Sequence, residues 1–296
     1  MCGRFVVASS PQLLADQFDV DEVAVESAEP QYNVAPRQQV MVVRQREARD
    51  GRLGRPGAHE TEPAESTRQG RRVLSQLRWG LVPSWAKSAA IGDRMINARA
   101  EGLAEKPAYK RAFAKHRCII PADGFYEWQV VAPPTTPKGR PKKQPVFIHR
   151  RDGEPMALAG LWAAWKVPDG VEVAGAEDAE ANVRGAGTLR RSEPGPERPG
   201  PQGRERERWL RSCVIVTTKP NALLAPVHDR MPVVLPKSRW AQWLNPEDHD
   251  VDALAELLVP LPDDVLELWP VSTLVNKADT NDPELVNAVG DVVRHS

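Results

Sequence analysis

The sequence predicts an antiparallel-rich α+β fold. Short apolar, β-branched runs outnumber segments with helical periodicity, and they follow one another closely with no regular strand–helix–strand alternation. Three polar stretches, at about 47–70, 131–144 and 167–208, interrupt this pattern without splitting it into two halves. One domain over residues 2–290 carrying three surface insertions is therefore expected. Hydrophobic residues make up 41% of the 296, enough for a sizeable core, while 28 prolines belong to long polar loops.

In chain order, residues 3–9 read as a strand and 11–18 as a short helix. Residues 31–36 read as a turn, and 39–46 alternate as a strand should. Residues 77–82 form a strand that runs into a Pro83-Ser84 turn presenting Trp85. Residues 107–116 are a basic helix candidate with Tyr109 and Phe113 on one face, spaced i, i+4. Residues 117–128 read as strand, tight turn and strand, with Asp123-Gly124 supplying the turn. A strand at 146–149, a buried apolar run at 157–165 and a strongly apolar strand at 210–218 follow. Residues 237–244 are helical, with Trp240 and Trp243 facing the core. A second helix at 252–258 and a last strand at 269–275 complete the pattern. The chain has no internal repeat.

Net charge is zero, yet its distribution is uneven. Residues 68–117 hold twelve Lys/Arg against three Asp/Glu, a balance of +9; residues 247–296 hold two against twelve, a balance of −10. The expectation is a basic face suited to a polyanion and an acidic face turned away from it. The chain has neither an 18-residue apolar run nor a signal-peptide core, so a soluble, cytoplasmic protein with no membrane partner is expected.

Three cysteines, widely spaced, make no disulfide framework. Cys118 and Cys213 sit in apolar runs and read as inert buried thiols. The six histidines are scattered, and no Cys/His pair has zinc-ligand spacing. Phosphate loops, dinucleotide fingerprints and nucleophile elbows are also missing from the sequence. No metal and no cofactor are expected, and any chemistry must run through Cys2.

With Met1 removed, Cys2 carries an α-amine and a thiol on adjacent carbons, with reference pKa values of about 8 and 8.5. A modest environmental shift would then activate either near neutral pH. A 1,2-aminothiol condenses with an aldehyde: the amine forms an imine, and the thiol closes a five-membered thiazolidine. That closure is intramolecular, where effective molarities reach ~10⁵–10⁸ M. The competing reading is an incidental second residue. Polar residues standing in apolar surroundings are Asn33, Asn97, Arg99, Glu127 and His228. Alternation sets Glu127 opposite Tyr126 and Trp128, facing either solvent or an enclosed site where desolvation would make it a proton carrier. His228 is either a hydrogen-bonded structural residue or a participant.

Six blocks resemble one family: Met1-Cys2-Gly3-Arg4-Phe5, Tyr32-Asn33-Val34-Ala35-Pro36, Trp79-Gly80-Leu81-Val82-Pro83-Ser84-Trp85, Asn97-Ala98-Arg99-Ala100-Glu101, Pro121-Ala122-Asp123-Gly124-Phe125-Tyr126-Glu127-Trp128 and His228-Asp229-Arg230-Met231-Pro232. They resemble the SRAP (SOS response-associated peptidase) family, and the three insertions fall between them. The resemblance implies β-barrel-like sheets with peripheral short helices. It also implies binding to single-stranded DNA containing abasic sites, and a thiazolidine crosslink through Cys2 that shields the lesion. Asn97 would position the N-terminus or the opened sugar, Glu127 would shuttle protons, and His228 would assist ring opening or imine chemistry. Arg4 and Arg99 would hold phosphates, Trp85 would stack on a base, and Asn33 and Pro36 would join the DNA-binding surface.

A monomer is expected, associated with the nucleoid when bound to DNA, and any replication-fork partners are unidentified. One departure is that Trp85 precedes Ala86, where some members carry a second aromatic; a smaller base wedge is expected. Two other readings stand beside this one. The first is an N-terminal-Cys thiol peptidase acting at least on its own Met1; the second is a non-covalent reader of modified or single-stranded DNA.

Overall fold

The computed structural model describes residues 2–25, 27–46, 70–133, 139, 141–178 and 207–295. Alternating apolar residues form fifteen strands among the described residues: β1 (Arg4–Val7), β2 (Glu22–Val23), β3 (Gln31–Val34), β4 (Gln39–Arg46), β5 (Arg71–Trp79), β6 (Asn97–Arg99), β7 (Arg117–Ala122), β8 (Gly124–Ala132), β9 (Lys142–Arg150), β10 (Met156–Lys166), β11 (Ala176–Asp178), β12 (Arg208–Thr218), β13 (Met231–Pro232), β14 (Leu266–Pro270) and β15 (Val293–Arg294). The α-helices are short and peripheral: α1 (Pro11–Gln17), α2 (Lys110–Lys115), α3 (Lys237–Leu244) and α4 (Val251–Ala255). No helix among the described residues is long and apolar enough to cross a membrane.

Two sheets result. The first runs β15-β14-β9-β8-β1-β3, and the second β11-β12-β10-β7-β4-β5-β2, with β6 and β13 paired to β12. Parallel pairing of β5 with β12, Arg78 opposite Ser212 and Trp79 opposite Cys213, closes the ring β12–β10–β7–β4–β5 into a five-stranded barrel. Every other pairing in that ring is antiparallel. Closure buries backbone groups that an open edge would expose, and here it surrounds a core rich in Val, Leu and Ile. The antiparallel-rich α+β fold with barrel-like sheets is thus present.

Phe5 of β1 meets Trp79 of β5 edge to face at 4.9 Å, which joins the two sheets. Ser10 caps α1, accepting from the Leu13 amide at 3.2 Å, with Pro11 pre-set for the first turn. Phe18, just past α1, stacks on Trp240 of α3 at 4.7 Å. Trp243 of the same helix is fully buried and donates to the Cys118 carbonyl at 2.8 Å.

The structure corrects several local expectations. Residues 31–34 are not a turn but β3, antiparallel to β1; the bend is confined to Pro36 and Arg37. Residues 117–128 are not a hairpin. β7 belongs to the barrel and β8 to the other sheet, so the chain changes sheets at Asp123. The Asp123 carboxylate holds this corner by accepting from the amides of Ala8 (2.5 Å) and Ser9 (2.9 Å) and the Ser9 hydroxyl (2.5 Å). An Asp-Gly pair marks a turn locally but says nothing about which sheet each arm joins. The strand expected at 269–275 is β14, which ends at Pro270; the chain then enters a 3-10 helix, Thr273–Asn276, and a further short strand, β15, pairs with β14.

Much of the three polar stretches, residues 47–69, 134–138, 140 and 179–206, lies outside the described residues. Their described flanks are paired: β8 runs to Ala132, β9 starts at Lys142, and β11 pairs with β12 beside buried Val167. Backbone hydrogen bonds extend a ladder regardless of side-chain polarity. The basic segment is also less exposed than its sum suggests. Arg78 and Arg117 are buried, and Arg117 donates to the carbonyls of Phe113, Ala114, Trp243, Asn245 and Asp248.

Candidate active site

Cys2 lies immediately before β1 and is fully buried. β6 runs parallel to β12, with Asn97 opposite Ile215. The Trp79 indole N–H, donating to the Ile96 carbonyl at 2.9 Å, fixes the strand's approach. From there the Asn97 amide donates to the Cys2 carbonyl at 2.7 Å, tethering the N-terminal strand to the barrel. The Asn97 Oδ1 is buried, with no hydrogen-bond partner among the described residues. It is an acceptor aimed into the site.

Glu127 reaches the same place from β8. The β1–β8 register pairs Arg4 with Tyr126, and its continuation brings Glu127 opposite Gly3. Of the two orientations open to Glu127, the structure shows the enclosed one, at 3% exposure. Burial pushes its carboxyl pKa up. Burial first, and the charge of Glu127 second, push the Cys2 thiol far above its ordinary value. The thiol is therefore held protonated, contrary to the expected ease of activation near neutral pH. Cys118 and Cys213 are buried too, with raised thiol pKa values, as expected of inert cysteines.

His228 sits half-buried in the loop between β12 and β13. Its position is set from three directions. Its own amide bonds the Leu224 carbonyl at 2.9 Å, and Gln129 of β8 bonds the Pro226 carbonyl at 3.4 Å. Arg230 makes a two-pronged bond to Glu101 (2.7 and 2.8 Å) and donates to the Thr217 carbonyl. Two neighbours of His228 Nδ1 favour opposite proton states: the Arg230 amide donates to it at 3.1 Å, and Asp229 Oδ1 lies 2.7 Å away. Burial lowers the His228 pKa, which favours the neutral ring. Nδ1 is then the acceptor from Arg230, and Nε2 carries the proton.

The structure thus gathers Cys2, Asn97 and Glu127, with His228 on the adjoining loop. The remaining predicted residues lie around them. Arg4 donates to Asn33 Oδ1 at 2.8 Å and to the Val275 carbonyl at 2.9 Å. Asn33 is buried, its amide bonded to the carbonyls of Val275 (3.3 Å), Lys277 (2.8 Å) and Thr280 (3.0 Å). Its side chain holds Arg4 and the C-terminal segment together. Pro36 is half-buried at the bend before Arg37. Arg99 is exposed on β6, next to buried Ala98. Trp85 is 58% exposed on its own turn. Ala86 faces inward, and its carbonyl accepts from the Trp165 indole at 2.7 Å, so the position after Trp85 belongs to the interior.

Sequence reasoning missed three contributors. The Glu101–Arg230 pair joins two of the motif blocks, and a charge of opposite sign in each block was its only signal. Lys143 of β9 lies near enough to act electrostatically on both Glu127 and His228, but it was hidden in a presumed insertion. The corner residue Asp123 read only as part of a turn.

The model of the family described as "SOS response associated peptidase (SRAP)" matches residues 1–278. The abasic site processing protein YoqW of Bacillus subtilis is 36% identical over 289 residues, covering 97% of this chain and all of YoqW. The abasic site processing protein HMCES of Xenopus tropicalis is 26% identical over 240 residues, covering 74% of this chain and 58% of HMCES. In fold, a crystal structure of a Bacteroides thetaiotaomicron protein superposes with a TM-score of 0.64 at 20% identity, covering 97% of this chain and 100% of that one. A phage-related protein of Bordetella bronchiseptica gives 0.56 at 26% identity, covering 92% and 95%. From the N-terminal Cys-Gly-Arg-Phe block through both sheets to residue 278, this chain belongs to the SRAP family.

Proposed function

We propose that this chain processes abasic sites in single-stranded DNA by capturing the ring-opened sugar on Cys2 as a thiazolidine. One observation carries the reading: the carbonyl of Cys2 is tethered by Asn97, and its thiol lies beside the buried carboxyl of Glu127. The names of the relatives, abasic site processing proteins, support the substrate.

With Met1 gone, the Cys2 amine adds to the sugar aldehyde to give a carbinolamine. A proton from the carboxylic acid of Glu127 goes to its hydroxyl, water leaves, and a protonated imine forms that keeps the N–H. The thiol then adds to the iminium carbon, and the C=N π pair returns to nitrogen to give the neutral ring amine. The thiol proton passes to the Glu127 carboxylate and restores the acid. The net change is aldehyde plus aminothiol to thiazolidine plus water. A thiol kept protonated until this step suits the order, because the amine acts first. The neutral ring of His228 offers its Nε2–H to the sugar oxygen as the ring opens, and Asn97 Oδ1 accepts a hydrogen from the Cys2 amine or a sugar hydroxyl. Arg4 and Arg99 hold flanking phosphates, and Trp85 stacks on a neighbouring base, worth ~1–3 kcal/mol. Asn33 contributes by holding Arg4, and Pro36 by shaping the adjoining bend.

The test is intact mass spectrometry and a denaturing gel on protein mixed with a single-stranded oligonucleotide carrying one abasic site. A lesion-dependent, heat-stable adduct that maps to Cys2 and is lost in Cys2→Ala is the expected result. Failure to form it, with Met1 shown to be gone and the protein folded, sinks the reading and leaves peptide cleavage as the next assay.

A further inference from the structure

A second concavity lies away from Cys2. It is a cleft of about 620 Å³ between the loop that follows Trp85 and residues 168–174. Lys87, exposed and two residues beyond Trp85, stands on its rim with Arg37. Arg37 has φ +77°, a left-handed conformation that a non-glycine residue rarely adopts. Residues held in such conformations concentrate at ligand clamps and active sites, because the surroundings must over-determine them. Here Asp93 does so, accepting from Arg37 Nε at 2.9 Å and from its terminal nitrogen at 2.6 Å. Arg78, buried behind, donates to the same carboxylate at 2.9 Å and to the Gly80 carbonyl at 3.0 Å.

Three cations against one carboxylate leave this side of the cleft at +2. The other acid of the lining, Glu172, is turned outward and paired with Arg208. The facing wall is apolar, formed by Val171, which is 41% exposed, and Val173, while Ala89 adds an apolar group on the loop that follows Trp85. It is also ordered. The Val171 amide bonds the Pro168 carbonyl at 3.2 Å, and Arg208 donates to the Val171 carbonyl at 3.4 Å. A cationic rim facing an apolar wall, open to solvent along one side, suits a unit with an anionic group and a flat apolar group. It also suits one that continues beyond the cleft.

We infer that this cleft is a subsite for one further nucleotide of the bound single strand, with its phosphate on Arg37 and Lys87 and its base against Val171 and Ala89. The inference rests on the single-stranded DNA reading above, but not on the crosslink. It extends the DNA path from Trp85 onto a wall built by residues that the sequence assigned to an insertion.

Fluorescence anisotropy with an undamaged labelled oligonucleotide, over a series of salt concentrations, tests it. Wild type is compared with Arg37→Gly, Lys87→Ser, the double variant and Val171→Asp. Glycine accepts a positive φ at no cost, so Arg37→Gly removes the charge without breaking the bend; thermal melts check that each variant is folded. The double variant should bind several-fold more weakly. Its log–log salt slope should be shallower by about 0.7, the share of the one phosphate that the two side chains hold on a single strand. Val171→Asp should weaken binding at low salt. If wild type binds and the variants match it in affinity and slope, the subsite is refuted while the DNA reading stands. If wild type fails to bind the strand at all, both fall. Adenosine monophosphate, titrated separately, distinguishes the sources. If its binding is lost in Arg37→Gly while strand binding is unchanged in every variant, the cleft is a free-nucleotide site and the inference is overturned.

Discussion

At the scale of single residues, burial displaces the site's pKa values, upward for Glu127 and Cys2 and downward for His228. The Glu127 carboxyl is raised by burial above its ordinary 4.5. The folded chain therefore binds this proton more tightly than the unfolded chain. Stability is unaffected by Glu127 below the unfolded pKa, falls as pH rises from 4.5 through the raised folded value, and stays reduced above it. Glu127→Gln should consequently melt higher than wild type at pH 8 and at the same temperature at pH 4. It should also slow adduct formation at every pH. Equal melting differences at both pH values would mean that the carboxyl is solvated. His228 has the opposite sign. Its lowered pKa means that the neutral ring is the one the fold accommodates, so its contribution is present above the ordinary 6.5 and is lost as pH falls below it. For His228→Gln, an acid limb in the crosslinking rate near and below that value should vanish. Persistence of the limb would assign it to another group.

At the scale of elements, close backbone approaches and corner contacts explain residues that carry no chemistry. Gly80 ends β5 at φ +117°, and a Cβ there would lie 2.5 Å from the Gly92 carbonyl oxygen. Gly80→Ala should cost roughly 3 kcal/mol or more by urea unfolding, because both conformation and space exclude the methyl. At the sheet-switching corner, Asp123→Ala leaves the amides of Ala8 and Ser9 without their acceptor. A loss of about 1–3 kcal/mol is expected, and no change there would mean that water replaces the carboxylate. The loop carrying His228 has its own anchor in Glu101. Glu101→Gln should alter the pH profile of crosslinking by loosening the loop, with Glu101→Asp restoring part of it; unchanged profiles would reduce the pair to a surface ion pair.

At the scale of the whole molecule, residues far apart in the chain are closed upon one another. Asn33 binds the backbone at Val275, Lys277 and Thr280 and supports Arg4, so the two ends of the chain meet at one buried amide. Asn33→Ala should destabilise the fold by about 2–4 kcal/mol, since several buried groups lose their partner together. Hydrogen exchange should quicken at residues 275–280 before it does in the barrel. Uniform quickening would show that the segment and the barrel open as one unit.

The sequence by itself determined the elements whose signal is local. The α3 helix and the β4 strand match their periodicity to the residue, and the buried Trp240 and Trp243 follow from an i, i+3 stripe. It also determined the family blocks, and with them Cys2, Asn97, Glu127 and His228 as candidates. Only the tertiary structure decided which strands are neighbours. The Asp123-Gly124 bend looks the same whether its arms form a hairpin or enter different sheets, because pairing is settled by partners elsewhere in the chain, β4 and β10 for one arm and β1 and β9 for the other. The same holds for proton states. Whether Glu127 faces solvent or a closed site depends on the strand and loop packed over it, and burial is a property of the assembled sheets, which no local pattern of residues contains.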